Sequence, residues 1–514
     1  MTDQEKLDRD ALCDQLMKEG IAGRSDADAV RIAGTLTSTA MTLERKDALA
    51  CACAWYETLE KKVGSGKLAI LIDYNRANAI SGERRGTQWQ WEQRTLAREI
   101  FYLRRAVGHE KFGQVSETFR CMCLNNLGSR LRTAGRIIEA LDYFRRTLEV
   151  EPRFGMSMCN RARMLYSYAG ALEDDGHRTL FLWMAHKEAS AALAPTAIYT
   201  NAHDELTKLK VRETKEWIES VLDVEGMSKA NPLVSEDVAA SEEEREYRRW
   251  CLHNCLYLNP LNDLGRYSVA DNDALVLATH IVPVGAPHVF ESFFDEMKQE
   301  YVSARWLLYE GLSARTPHFS DREVFLLATD PRPSLCLAIE KVKSAYRVSY
   351  SIFDKVAFFI NEYMTLGIKE KDVSFRRLWR ESENKPIRRE FDSTENWGSC
   401  ALYWLAKDLF EQENDEVAEP QARGLCTIRN HLEHKYLRVT EAEGPLAPPE
   451  DLAFMVSRKE FEKKTVHLLR LARSALIYLV IGVRFEEERR KPSYADESIE
   501  DIQPAPWLAD AEKI

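Results

Sequence analysis

The run LAIEKVKSAYRVSYSIFDKVAFFINEYM, Leu337 to Met364, holds no proline and no glycine, and its apolar residues recur at helical spacing. A stretch of that length and pattern buries its apolar side only as a long helix packed on other helices, which commits this part of the chain to an all-α bundle. The remainder agrees: 17 prolines and 23 glycines are few for 514 residues, a scarcity that suits long helices better than a many-turned β protein. Hydrophobic residues at 45% and charged residues at 30% are ordinary globular usage. The length allows about two to four domains with substantial cores.

From about Phe290 the pattern predicts five helices. The first covers about Asp295 to Leu312. The second follows Pro331 and Pro333 and runs to about Leu366. A basic connector, KEKDVSFRRLWRESENKPIRREF, leads to a third through Phe410, with Ser393 and Thr394 as N-cap residues. The fourth runs from about Gln421 to Val439, Pro448 and Pro449 break the chain, and the fifth covers about Asp451 to Arg484.

The N-terminal region is also helical but differently organised. Residues 1 to about 60 read as short amphipathic helices. The following GSGKLAIL imitates a phosphate-cradling loop, but Lys61 stands where that pattern needs a glycine and Leu68 where it needs Ser or Thr, so it is predicted as a turn between helices. Residues 121 to 152, CMCLNNLGSRLRTAGRIIEALDYFRRTLEVEP, resemble a tetratricopeptide repeat. Leu127 and Gly128 take the close-packed position of the first helix, Gly135 the turn, Ala140 and Phe144 the inter-helix positions, and Pro152 closes the unit. The next unit, Gly155 to about Pro195, is degenerate, with Arg161 and Ala162 in place of the Leu-Gly pair, and an earlier one is expected around Tyr74 to His109. A single repeat cannot bury its own face, so neighbours are required. Such a region binds or scaffolds; it offers a surface for a protein partner and shows no chemistry.

Net charge is -11, which argues against a general nucleic-acid coat while leaving room for a local basic groove. Acid dominates Glu236 to Glu246 and the tail after Phe485. The N-terminal MTDQEKLDRDALCDQLMKEG has no apolar core of a signal peptide, and the most apolar stretch near the end, Ser474 to Val483, is too short for a bilayer. With 11 cysteines, this predicts reduced thiols, a cytoplasmic location and no membrane association. Tyr247 to Leu264, YRRWCLHNCLYLNPLNDL, reads as an ordered segment docked on a neighbour; Cys251, His253 and Cys255 are spaced like metal ligands, but no second pair follows and buried thiols are the expectation. The organisation is therefore a repeat-like region over 1–202, a helical connector and acidic linker over 203–245, a helical domain over 246–485 with its core bundle at 290–485, and an acidic tail over 486–514.

The fourth helix carries the chemistry. It reads Cys426-Thr-Ile-Arg429-Asn430-His431-Leu-Glu433-His434-Lys435-Tyr436. Leu425, Ile428, Leu432, Tyr436 and Val439 form one apolar stripe, Asn430 and His434 lie together on the opposite face with Leu437 beside them, and Arg429 falls at the stripe's edge. His431 is expected to be solvated, and His467, on the fifth helix, to serve packing. Arg429-Asn430, three residues, then His434 resembles the RNxxxH motif of HEPN ribonucleases, and the flanks from Glu246 to Phe485 resemble a bacterial HEPN family that often carries N-terminal repeats.

The resemblance implies a homodimer through the bundle, two motifs facing one cleft, and RNA cleavage without metal or cofactor. It implies that His434 passes protons, Arg429 holds phosphate and Asn430 orients it, with Lys435 as a further RNA contact. Defence against phage, or service as a regulated toxin, follows by family analogy alone, with the repeats sensing a trigger. Two supporting residues are expected. Asp354 interrupts an apolar stretch of the long helix and needs a partner if buried, for which Arg429 is the candidate; an exposed Asp354 beside Lys355 is the alternative. Glu433 is the second; a solvated face with an Arg429–Glu433 pair is the reading of this helix without chemistry. In the basic connector, Arg376, Arg377, Arg380, Arg388 and Arg389, interleaved with Phe375, Trp379 and Phe391, can line an RNA path with bases stacked on the rings, although the interspersed acids favour a solvated connector. The alternative function is a non-catalytic protein- or RNA-binding scaffold, and a nucleotide-binding regulator ranks last because no phosphate-cradling loop is present.

Overall fold

A computed structural model describes residues 2–64, 66–83, 91, 93–200, 204–235, 238–283, 288–327, 333–382, 385–391, 395–410, 419–420, 422–441, 452–491, 499–501 and 513. The chain divides into two compact units: the first comprises Met1–Tyr166, Met184–Val221 and Lys407–Ala422, and the second Ser167–Trp183, Leu222–Ala406 and Arg423–Ile514.

The first unit is built from α1 (Asp3–Glu19), α2 (Asp26–Leu43), α3 (Lys46–Lys62), α4 (Lys67–Glu83), α5 (Arg94–Gly108), α6 (Glu117–Thr133) and α7 (Ile137–Val150), joined by most of α8 (Gly155–Gly170) and α9 (Asp175–Leu193), and by α10 (Asp204–Val221). Neighbours pack in succession, α2 on α3, α4 on α5, α6 on α7. The pair α6–α7 has the expected hairpin. A Cβ on Gly128 would lie 2.7 Å from the Phe144 ring, so only glycine lets the two helices approach, and Gly135 turns the chain at φ +74°. In α8, where Arg161 replaces the small residue, that guanidinium is buried and pairs with Glu188 of α9. The Gly64–Gly66 segment joins α3 to α4 as a turn. These helical hairpins are consistent with repeats. The segment expected to be a helical connector and acidic linker holds α10, α11 (Val224–Ala230) and the start of α12 (Glu242–His253).

The second unit carries the bundle: α13 (Val289–Ser313), α14 (Leu337–Tyr363), most of α15 (Trp397–Phe410) and of α16 (Ala422–His434), and α17 (Arg458–Arg490). The longest helices, α14 and α17, bury Tyr346, Phe353, Val356 and Ile360 on the one and Leu468, Leu469, Ala472, Leu476 and Leu479 on the other. An 18-residue window of α17, mean hydropathy 1.6, is long and apolar enough to cross a membrane by composition alone, a longer stretch than Ser474 to Val483; 78% of it is buried inside the fold, so core packing accounts for it. Asn396 caps α15 by accepting from the Ser399 amide at 3.0 Å; the expected caps Ser393 and Thr394 lie outside the described residues.

Two helix boundaries differ from expectation. α16 stops at His434 rather than Val439, because Tyr436–Thr440 forms a strand, β2, which pairs in parallel with β3 (Ala453–Ser457). The alternating and β-branched YLRVT favours an extended backbone, and Leu437, Val439 and Thr440 are buried. Consequently α17 starts at Arg458, capped by Ser457, rather than at Asp451. It also continues past Phe485: Glu486 and Glu487 are buried, and Ile499–Asp501 pairs antiparallel with Ile281–Pro283.

The segment Tyr247 to Leu264 docks on this bundle through two buried arginines. Arg305 of α13 holds Asp273 through both guanidinium nitrogens (2.8 and 2.7 Å) and donates to the Leu256 carbonyl. Arg473 of α17 pairs with Asp263 (2.7 Å) and donates to the Tyr257 and Asn259 carbonyls. Each guanidinium is buried with its charge compensated and its hydrogens used. Cys251 is buried in the same layer, where desolvation pushes its thiol up to about 12.

Candidate active site

α16 is laid against α14 by its apolar side: Leu425, Ile428 and Leu432 are buried, and the Tyr346 hydroxyl donates to the Leu425 carbonyl at 2.7 Å. That packing turns the opposite side outward. Arg429 and Asn430 are half-buried and His434, the last helical residue, is exposed together with Glu433 and Lys435. The RNxxxH residues therefore lie at the C-terminal turn of α16, where the final carbonyls present partial negative charge.

Arg429 is steered by α14. Its guanidinium lies over the Tyr350 ring, 5.6 Å from the centroid, and donates to the Asn430 side-chain oxygen at 3.2 Å. Asn430 in turn donates to the Cys426 sulfur at 3.8 Å, so two neighbours of the motif hold each other through side chains. Asp354, one turn beyond Tyr350 on α14, is half-buried rather than exposed. Burial pushes its carboxyl above the usual aspartate range; the positive charge of Arg429 and a backbone hydrogen bond from Phe375 oppose that rise. Asp354 thus acts on Arg429 through its charge.

Two residues outside the motif emerge. Tyr350 is held protonated by burial and supplies the surface on which Arg429 lies. Arg347 donates to the Leu432 carbonyl at 2.9 Å and approaches Glu433 at 3.7 Å, so it caps the last turn of α16. Both follow from spacing: 347, 350 and 354 lie on one face of α14, a pattern readable once Asp354 is taken as facing α16.

Several sequence expectations are corrected. Glu433 meets Arg347, not Arg429. His431 is buried rather than solvated: its ring Nδ1–H donates to the Thr427 carbonyl oxygen (2.8 Å) and the ring packs on Phe454 of β3. Phe375, Trp379 and Phe391 pack in the interior and offer no rings to bases. Arg388 is spent on the Leu378 carbonyl (3.1 Å), and Arg380 on the Tyr403 hydroxyl (3.1 Å). Arg376, Arg377 and Arg389 are exposed. His467 is half-buried on α17.

Residues 283–486 match the family described as LA2681-like HEPN. HEPN domains generally belong to ribonucleases or nucleotide-related proteins. No curated protein and no solved structure gives a match.

Proposed function

We propose that this protein is a metal-independent endoribonuclease whose reactive groups are Arg429, Asn430 and His434. One observation carries the reading: Asn430 and His434 lie off the buried stripe of α16, and Arg429, at the stripe's edge, is braced beside them on Tyr350. Packing alone gives no reason to assemble a cation, an amide and an imidazole there.

In this reading RNA lies along the outward side of α16. The 2′-hydroxyl attacks the adjacent phosphorus, the P–O5′ bond breaks, and the products are a 2′,3′-cyclic phosphate and a 5′-hydroxyl. His434 takes the 2′-hydroxyl proton or gives one to the departing 5′-oxygen; an imidazole does either near neutral pH and contributes about 10²–10⁴-fold. Arg429 binds the phosphate oxygens as their charge grows, and Asn430 fixes the approach of phosphate through its remaining hydrogen-bonding capacity. A second copy of the bundle supplies the facing motif, which makes the active species a homodimer. Lys435, Arg376, Arg377 and Arg389 are exposed cations that RNA phosphates can approach. The N-terminal helical hairpins regulate the nuclease by binding a trigger or partner, and the biological setting is antiphage defence or a controlled toxin in the cytoplasm.

The test is RNA cleavage by wild type, Arg429→Ala and His434→Ala, each checked for unchanged helix content and dimer mass. The reading expects both variants to lose at least about 10²-fold in rate. Wild-type protein that binds RNA as a dimer, cleaves nothing and binds equally well after His434→Ala favours the scaffold reading.

A further inference from the structure

The first unit holds a cation with no counter-ion. α6 and α8 are tied by a buried amide and hydroxyl ladder. Asn160 donates to the Asn125 side-chain oxygen at 3.0 Å and reaches the Ser129 hydroxyl at 3.4 Å, while Ser157 donates to the same Asn125 oxygen at 3.1 Å. That ladder fixes the register in which the two helices run side by side. One turn further on, three residues beyond Ser129 and three beyond Asn160, the matched positions are Arg132 and Arg163. The register therefore sets Arg132 and Arg163 at matched positions at the end of the ladder, near enough for their like charges to oppose each other, with Arg130 nearby on α6.

These cations are not equivalent. Arg130 is neutralised by the buried Glu99 at 2.5 Å. Among the described residues the Arg132 side chain has no hydrogen-bond partner and no carboxylate: burial, then the like charges of Arg163 and Arg130, push its guanidinium down to about 10. Elsewhere in this unit a buried arginine finds its acid, as Arg104 and Arg136 do in Asp408, Arg76 in Glu57 and Glu60, and Arg161 in Glu188. None of the Arg132 nitrogens is sealed from solvent without a partner, so the guanidinium is recessed but reachable. A half-buried guanidinium without an acid, placed against a second one by a rigid ladder, costs stability in the empty protein. It is compensated when an oxyanion arrives, because planar guanidinium groups match carboxylate and phosphate in bidentate fashion and a recessed site screens the pair less.

We propose that Arg132 and Arg163 form an oxyanion-binding site on the first unit, which takes a carboxylate or phosphate group of a ligand. The site is separate from Arg429–His434, and its existence does not depend on the nuclease reading.

The test uses the full chain and thermal unfolding. Wild type, Arg132→Met and Arg132→Lys are titrated with inorganic pyrophosphate and with citrate, against sodium chloride at matched ionic strength. Wild type is expected to gain a saturable increase in Tm of about 2–4 °C over the chloride control. Pyrophosphate acting alone assigns the site to phosphate, and citrate acting alone to carboxylate. Arg132→Met should lose that response and, freed of an uncompensated charge, unfold at a temperature no lower than the ligand-free wild type; Arg132→Lys should retain a weaker response. No anion-specific increase in wild type, or an equal increase in Arg132→Met, overturns the proposal. So does an Arg132→Met protein that melts well below wild type without ligand, since Arg132 would then have a structural role.

Discussion

Asp354 sits where burial opposes its charge, and Arg429 together with the Phe375 amide offsets only part of that opposition. Because its folded-state pKa is raised, the native protein keeps the proton over a pH range in which the unfolded chain has released it. Stability therefore falls as pH rises from the ordinary aspartate value through the raised one, and the cost is fully present above the raised one. Asp354→Asn should raise Tm at neutral pH, with the gain vanishing below the ordinary aspartate pKa. Cleavage should fall by about tenfold as Arg429 loses its orientation. Thermal melts and single-turnover rates against pH check both halves; a variant unchanged in melting and in rate removes Asp354 from the site. The motif itself and the carboxylate behind it were legible in the sequence, because a charged residue inside an apolar helical run has few explanations. Tyr350 and Arg347 were not, since a tyrosine and an arginine at helical spacing look the same whether they face solvent or a neighbouring helix.

Among elements, α15 shows how close packing decides what a position tolerates. A Cβ on Gly398 would lie 2.6 Å from the Gly482 nitrogen and 2.8 Å from the Tyr478 carbonyl oxygen of α17, and Asn396 donates to the Gly482 carbonyl at 2.9 Å. Backbone cannot swing aside as a side chain does, so Gly398→Ala should cost about 1–3 kcal/mol, read as a lower midpoint in urea; a neutral result would mean the two helices are not in backbone contact. Helical periodicity located α13 to α17, yet it misplaced the end of α16 and the start of α17. The apolar stripe of α16 continues in phase into Tyr436 and Val439, while the force that ends the helix is pairing with β3, across a break in sequence. Local pattern cannot report a partner that far along the chain. The basic connector misled for a related reason: aromatic residues among arginines look like a stacking surface, but Phe375, Trp379 and Phe391 form interior packing.

Over the whole molecule, charge is organised by burial as much as by composition. In the first unit Asp408 is buried between Arg104, which holds it at 2.7 and 2.9 Å, and Arg136, and this holds its carboxyl down to about 2. Its ionised form contributes stability at all pH values above the ordinary aspartate range, and the contribution is lost as pH falls toward 2. Asp408→Asn would remove the anion the two buried guanidinium groups share, leaving Arg104 with Glu419 and Arg136 with Glu139, and should cost up to about 3–5 kcal/mol at neutral pH, measured by denaturant unfolding. A loss under about 1 kcal/mol would contradict the buried triad. Asp408 lies at the end of a bundle helix in sequence, and nothing local announces that its partners are some 270 to 300 residues earlier.

The central claim is that the outward residues of α16 cleave RNA by 2′-hydroxyl attack. The most direct measurement incubates wild type and His434→Ala with a transfer-RNA pool and with total RNA in EDTA, in the presence of cell extract to supply a trigger, and identifies the product ends. The account predicts discrete fragments ending in 2′,3′-cyclic phosphate from wild type and none from His434→Ala. Equal cleavage by both proteins, or products ending in 3′-hydroxyl, would contradict it.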